Sequence, residues 1–396
     1  MLDSIYVGMT GLSGYSQGLR VIANNTANVN TPGFKGSSLQ FADMFYSSGG
    51  GGGMSLSDAH SEIGYGLNTN GTQLSFSQGE LRQTGNGLDM AIDGQGLFVL
   101  QDVSGNLTYT RAGQFDFDTE LTLISKTNGA KVMGLDATGG LTTLSIAGAA
   151  SVPGQQTGRI QFGGNLSSAQ TTQTVSGLKV HDSAGGEHSL TLRLTNTNAT
   201  TAGSWTVELL DDTTVVGTGQ VIFANGVPTA ATAQVNVSFT PAGLTAIPLT
   251  LDFGTDVTSF ASGNLSTLAV SNQDGRSAGG LTKASFDDTG TLVLQYSNGQ
   301  TVRGNRLALG RFDSLAAVSS VGDNEFRALD QTAWHIGAAG QGGFGNVRAG
   351  MVEISNVDLS REFSDLIVMQ RGYQASSQVI STANDMLQEL FQMKGR

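Results

Sequence analysis

The chain contains no cysteine, which excludes disulfides, thiolate metal ligands and a cysteine nucleophile. Charge is scarce: charged residues make up 13% of the sequence, about half of the roughly 25% usual for soluble domains. Basic residues are scarcer still, 20 Lys and Arg against 32 Asp and Glu, for a net charge of −12. That balance argues against binding nucleic acid, whose phosphates need a basic surface, and against a polybasic membrane-surface role. No apolar run reaches the roughly 18 residues of a membrane span, so no membrane insertion is expected. The opening "MLDSIYVGMTGLSGY" has no basic region, continuous apolar core or small-residue cleavage site. Export, if it occurs, is expected to proceed without a cleaved signal peptide.

What is present is glycine, 56 residues of it, with abundant Ser, Thr and Asn. Such a weakly charged surface suits a subunit that buries much of itself in a polymer, and it also occurs in secreted β-rich proteins. At 396 residues the chain has room for two or three domains.

The two ends differ from everything between them. Ile5, Met9, Leu12, Ser16, Leu19, Ala23 and Thr26 alternate steps of four and three, the spacing of one helix seam. Gly8, Gly11, Gly14 and Gly18 fall in the same stretch, each costing about 1 kcal/mol relative to Ala. A helix this rich in glycine needs a partner, and glycines let that partner come close. "NTPG" then ends it. At the far end Leu366, Met369, Tyr373, Ser376, Ile380, Ala383, Leu387 and Leu390 keep the same alternation over more than three heptads, with Asp358 or Ser360 as N-cap and Glu362 in the first turn. From Leu359 to Lys394 this helix would run ~54 Å. Pairing the two seams is the economical solution.

Between the ends, short β-type runs alternate with turn residues. "LDMAIDGQGLFVLQ", "GNLTYTRAGQFDFD", "LTLISKTNGAKVMG" and "TGTLVLQYSNGQTVRG" all fit hairpins, and "HSLTLRLTNTN" and "SWTVELLDD" read as alternating strands. The fold expected is mainly β: an elongated, multi-domain chain of β-barrel or sandwich-like domains, with N- and C-terminal α-helices packing as a coiled-coil-like stalk. The expected division is 1–30 and 359–396 as paired helices, 31–70 as a linker with a flexible glycine run at 47–57, 71–145 and 281–358 as a discontinuous β domain, and 146–280 as a β domain inserted into it.

Apparent chemical motifs fail on context. Gly14-Tyr15-Ser16-Gln17-Gly18 matches G-x-S-x-G but lies inside a helical seam with no strand before it. Gly340-Gln341-Gly342-Gly343-Phe344-Gly345 matches G-x-G-x-x-G, but a strand rather than a helix follows, so a flexible glycine loop is expected. Asp211-Asp212 and Asp287-Asp288 do not fit a calcium loop, and His60, His181, His188 and His335 lack metal-ligand spacing. Asn165 and Asn264 open glycosylation-type triplets of the kind Asn- and Thr-rich sequence produces by chance. No catalytic, cofactor or metal site is expected.

Two terminal segments, "ANNTANVNTPGFKGS" and "GMVEISNVDLSREFSDLIVMQRGYQASSQVISTANDMLQEL", resemble the paired terminal signatures of bacterial flagellar rod and hook axial proteins. "GNGLDMAIDGQGLFVLQ", "YTRAGQFDFD" and "GFGNVRAGMVEISNVDLS" resemble the opening and closing of the β domain that family shares. About 130 intervening residues, including "GLKVHDSAGGEHSLTLRLTNTNATTAGSWTVELLDD", resemble the outer β domain of its hook members, as does "LALGRFDSLAAVSSVGDNEFRA". Thr26, Gly372 and Ser376 depart from the family pattern, which leaves the packing of the helices open. The resemblance implies a homopolymer: a flexible helical tube, the universal joint that carries torque from rod to filament, with the predicted seams in its inner core. It further implies rod, hook-cap and hook–filament junction proteins as partners, and the flagellar type III apparatus as export route. A distal-rod or junction protein is the alternative within the family, a secreted β-modular adhesin the alternative outside it.

Overall fold

Two α-helices and a series of mostly antiparallel strands make up the computed structural model, which describes residues 2–44, 46–48, 62–64, 66–254 and 256–394. Helix α1 runs Leu2–Ala27 and helix α2 Leu359–Lys394. Asp358 caps α2, its carboxylate accepting from the Ser360 and Arg361 amides at 2.8 and 3.4 Å. The asparagines end α1: the Asn28 amide still donates to the Asn24 carbonyl, the Asn28 side chain accepts from the Thr31 hydroxyl at 3.1 Å, and Gly33 turns away with φ of +71°.

By contacts the chain divides into two compact units, one of Met1–Ala147, Ala284–Val293 and Arg303–Arg396, the other of Gly148–Lys283 and Leu294–Val302. The helix pair therefore belongs to the same unit as the strands of the discontinuous β domain rather than standing apart. Leu294–Val302, expected in that domain, joins the second unit, where the Tyr296 hydroxyl donates to the Ala149 carbonyl at 2.9 Å.

In the first unit, the segment read as a linker carries an antiparallel strand pair, Ser37–Asp43 with Leu67–Leu74. Its apolar residues have a surface to cover: Leu67 and Phe41 lie on Gly14, which presents bare backbone, and the Tyr15 and Phe41 rings are 6.0 Å apart. Most of the glycine run at 47–57 lies outside the described residues, as does His60. Met90–Asp93 and Leu97–Gln101, expected to pair as a hairpin, do not. Gly94 and Gly96 take φ of +112° and +134° and turn the chain, so that Met90–Asp93 pairs with Asn346–Ala349 while Leu97–Gln101 pairs with Leu107–Thr110. Leu107–Thr110 and Phe115–Phe117 likewise find other partners, whereas Leu123–Ser125 does return onto Lys131–Leu135. The glycine loop at 340–345 is tied rather than loose, with the Gly340 amide donating to the Gly345 carbonyl and the Gly345 amide to the Gln95 carbonyl. The core gathers Leu97, Val99, Tyr109, Met133, Phe326 and Trp334, with Tyr109 stacked on Trp334 at 3.8 Å.

The second unit has two sheets facing one core. One is a meander through Thr172–His181, Glu187–Asn196, Ser204–Asp211, Thr214–Ala224 and Val227–Pro228. The other is built on Arg159–Asn165, parallel to Ile247–Asp252 and antiparallel to Ala269–Gln273. Alternation places Leu190, Leu192, Leu194, Trp205, Val207 and Leu209 inside.

One turn recurs in both units. Asp102, Asp118, Asp136, Asp182 and Asp287 each accept, through Oδ1, from the amides two and four residues on, at 2.8–3.0 Å. The third residue after each has positive φ: Gly105, Leu121, Gly139, Gly185 and Gly290. The Asn106 side chain and amide hold the Asp102 carboxyl below its ordinary 3.8, and the Thr138 hydroxyl with the Gly140 amide does the same for Asp136. Carboxylates depressed by folding stabilise the fold above their unfolded pKa, and that stability is lost as pH falls through the folded value. The melting temperature should therefore drop as pH falls below about 4, and Asp102→Asn with Asp136→Asn should flatten that drop. An equal slope in parent and double variant would show that these turns do not carry the acid response.

Candidate functional site

Five residues of α1 meet α2, Gly8, Gly11, Tyr15, Gly18 and Asn25, and buried Ile22 completes their stripe, again in steps of three and four. A methyl group at Gly8 would lie 2.7 Å from Ile380, at Gly11 2.7 Å from the Ser376 hydroxyl, and at Gly18 2.9 Å from the Met369 sulfur. On α2 the reciprocal glycine is Gly372, where a methyl would collide with the Tyr15 ring. These pairs and Asn25–Glu362 run in opposite directions along the two helices, so the pair is antiparallel. The register, continued, places Leu2 opposite about Asp385, and the last turns of α2 extend past α1.

Within the subunit, the contact with α2 therefore lies one residue from the expected α1 seam. Ile5, Leu12 and Leu19 are only half-buried and Met9 is 58% exposed. Two neighbouring stripes carry the same spacing, and the glycine stripe wins because its bare backbone admits the closer approach. On α2, Leu366, Met369, Ser376, Ile380 and Leu387 are half-buried and Ala383 is buried, but Tyr373 and Leu390 are exposed. Gly372 occupies the contact that spacing assigned to Tyr373.

Below the helix pair, three segments distant in sequence meet at one side chain. The Glu353 carboxylate is fully buried and accepts from Lys35 Nζ at 2.6 Å, the Gly79 amide at 2.8 Å and Arg111 Nη1 at 2.8 Å. Lys35 Nζ also donates to the Ser77 carbonyl at 2.7 Å, and Arg111 to the carbonyls of Ile92 and Gly94. The Glu353 carbonyl accepts from the Gly33 amide at 2.8 Å. Burial pushes the Lys35 ammonium below its ordinary pKa, against the opposing pull of Glu353.

Two asparagines extend this clasp. Asn356 accepts from the Gly36 amide at 2.8 Å and donates to the Ser75 carbonyl at 2.8 Å. Asn25, itself buried, donates to the Ser37 carbonyl at 2.7 Å and to Glu362 at 3.0 Å, and accepts from the Ser37 amide at 3.1 Å. It thus joins the end of α1, the start of the strand pair and the first turn of α2. Burial pushes the Glu362 carboxyl up, and the Asn25 bond only partly offsets it. At neutral pH the Glu362 charge therefore costs stability, a cost relieved as pH falls through its raised value.

Spacing singled out none of Lys35, Arg111, Glu353, Asn25 and Asn356. The available signal was the scarcity of charge: in a chain so poor in it, an ionic residue sits within each of three family-like motifs. Ser16 lies inside α1; His181 and His188 pair with Glu187 and Asp182 side by side on one hairpin, and His335 pairs with Asp313 elsewhere. Among the described residues no cluster could hold a metal ion.

The clasp sets two cations on one anion, so its members should not be equivalent. Glu353→Gln leaves two buried cations unbalanced and should cost about 3–5 kcal/mol in urea unfolding. Lys35→Met leaves the neutral Arg111–Glu353 pair and should cost clearly less. Equal losses would mean that charge balance is not what the site supplies.

Three family descriptions match the chain: "Flagella basal body rod protein" over residues 5–35, "Flagellar hook protein FlgE/F/G D1 domain" over 91–174, and "Flagellar basal body rod FlgEFG protein C-terminal" over 348–393. Lys35, Arg111 and Glu353 fall one in each. The flagellar hook protein FlgE of Escherichia coli K12 is 30% identical with 98% of both chains covered, and that of Salmonella typhimurium LT2 is 30% identical, also with 98% of both covered. The FlgE of Borreliella burgdorferi is 29% identical across the full length of both. Similarity at this level along nearly the whole of both chains, with the clasp residues distributed over all three matched segments, places the chain in the flagellar hook protein family.

Proposed function

We propose that this chain is the repeating subunit of the bacterial flagellar hook, a structural protein that polymerises with itself into a flexible helical tube and passes torque from rod to filament. The observation that carries the assembly role is the outward side of the helix pair. With the glycine seam closed, Phe363, Ile367 and Val368 remain exposed near the start of α2, and Phe391 and Met393 are 70% and 76% exposed near its end. An isolated soluble domain gains nothing from such faces, whereas a helix pair packed among identical helix pairs buries them. On this reading the helix pairs form the inner layer of the tube, and the weakly charged β units form outer layers whose contacts have many near-equal registers. Rod, cap and hook–filament junction proteins are the proposed neighbours at the tube's ends, and the type III apparatus the proposed export route, without a cleaved signal.

Ile367 is 58% exposed, so Ile367→Asp should leave the stability of the free subunit within about 0.5 kcal/mol. In a polymer the same carboxylate would be forced unpaired into an apolar contact, so tube yield and swimming should collapse. Gln388→Ala, a polar exposed position on the same helix, should assemble at the parent yield. Full assembly of Ile367→Asp would remove the helix faces from the polymer contact.

A further inference from the structure

Five Asn-Gly pairs occur in the chain, at Asn70, Asn86, Asn128, Asn225 and Asn298. Each is a potential site of self-modification. The glycine nitrogen, after losing its proton, attacks Cγ of the asparagine; the C–N bond of the side-chain amide breaks, ammonia leaves, and a five-membered imide closes. Water then opens the imide at either carbonyl, giving aspartate or the isoaspartyl linkage. Glycine leaves its own nitrogen open to this attack because it has no Cβ. The ring closes only where the side-chain amide is free to turn and the backbone is free to twist.

Four of the five are held. Asn86 donates to Asp89 at 3.2 Å and accepts from the Leu88 amide at 3.2 Å. Asn128 donates to Glu325 at 2.7 Å and accepts from the Ala130 amide, and the Gly129 amide is itself engaged with the Ser125 carbonyl. Asn298 donates to the Ser277 carbonyl at 2.9 Å and accepts from the Gln300 amide, while the Gly299 amide donates to the Tyr296 carbonyl. Asn225 sits in a two-residue turn clamped between the pairs Ala224–Val227 and Phe223–Pro228. Its Gly226 accepts from the Ser259 amide and lies against the Phe260 ring.

Asn70 is different. It is exposed, and its side chain makes no hydrogen bond among the described residues. Asn70 and Gly71 form a bulge: the register passes from Leu39–Thr72 to Phe41–Thr69, and neither residue has a partner strand position. Gly71 has φ of +80° and nothing within 4 Å of where a side chain would begin. We infer that Asn70-Gly71 is a spontaneous deamidation site, selected by this bulge from five chemically identical pairs. Its conversion places a carboxylate, or a main chain lengthened by one methylene, in the strand whose Leu67 rests on Gly14 of α1.

The test is peptide mass spectrometry of the full chain incubated at neutral to mildly alkaline pH. The exchange of NH2 for OH should accumulate at Asn70 about ten times faster than at the other four, the factor that a barrier lower by about 1.4 kcal/mol gives. The rate should rise with pH, because the attacking nitrogen must lose its proton, and Asn70→Gln should abolish the signal in that peptide. In urea all five sites should converge on similar rates, since only the fold separates them. Equal native rates at the five sites, or a faster rate at any of the other four, would overturn the inference, whatever the outcome for assembly.

Discussion

Burying one carboxylate between two cations joins the ends of this chain. Glu353 holds Lys35 from the segment after α1 and Arg111 from the β domain, and its carbonyl takes the Gly33 amide. Each charge has lost its water, so each depends on the others remaining in place. The arrangement forms only once residues 318 positions apart have met. It contributes less as net stability than as a choice of closure: a residue shift of either terminal segment would leave a buried ion without its partner.

That closure sets up the helices. α1 is glycine-rich and would be marginal alone in water, yet the clasp delivers its C-terminal end to the first turn of α2, with Asn25 bridging both to the strand beside them. From there the glycine stripe lets the helices approach until Ile380, Ser376 and Met369 rest on main chain. Small residues are used up inside, and larger apolar ones are left outside. A helix pair built this way is complete along one seam and unsatisfied along its outer faces, as a unit made to be surrounded by copies of itself requires.

Much of this was legible in the sequence, and the parts that were not have definite causes. Two terminal helices, an Asp cap and alternating strands such as Glu187–Asn196 follow from local periodicity and turn chemistry, which act over a few residues. The side of α1 that meets α2 within the subunit was not legible from hydrophobic bulk, because that contact went to the residues with no side chain. Met90–Asp93 could not be assigned its partner from local pattern, because its mate, Asn346–Ala349, lies more than two hundred residues on. The clasp was hidden for the same reason: a lone lysine, arginine and glutamate announce nothing until the fold brings them within 3 Å. The repeated Asp turns were visible as D-x-x-G in four cases, while Leu121 masked the fifth.

The central claim is that the chain closes on itself through the clasp and glycine seam and leaves the outer helix faces for neighbouring copies. Amide hydrogen exchange on free subunits and on assembled tubes tests it most directly. Around Lys35, Arg111 and Glu353 the amides should already be protected in the free subunit and change little on assembly. The amides of α1 and α2 should instead gain large protection in the tube, while the buried strands of the Gly148–Lys283 unit stay as they were. Helices that exchange equally fast in both forms, or a clasp protected only in the tube, would contradict the account.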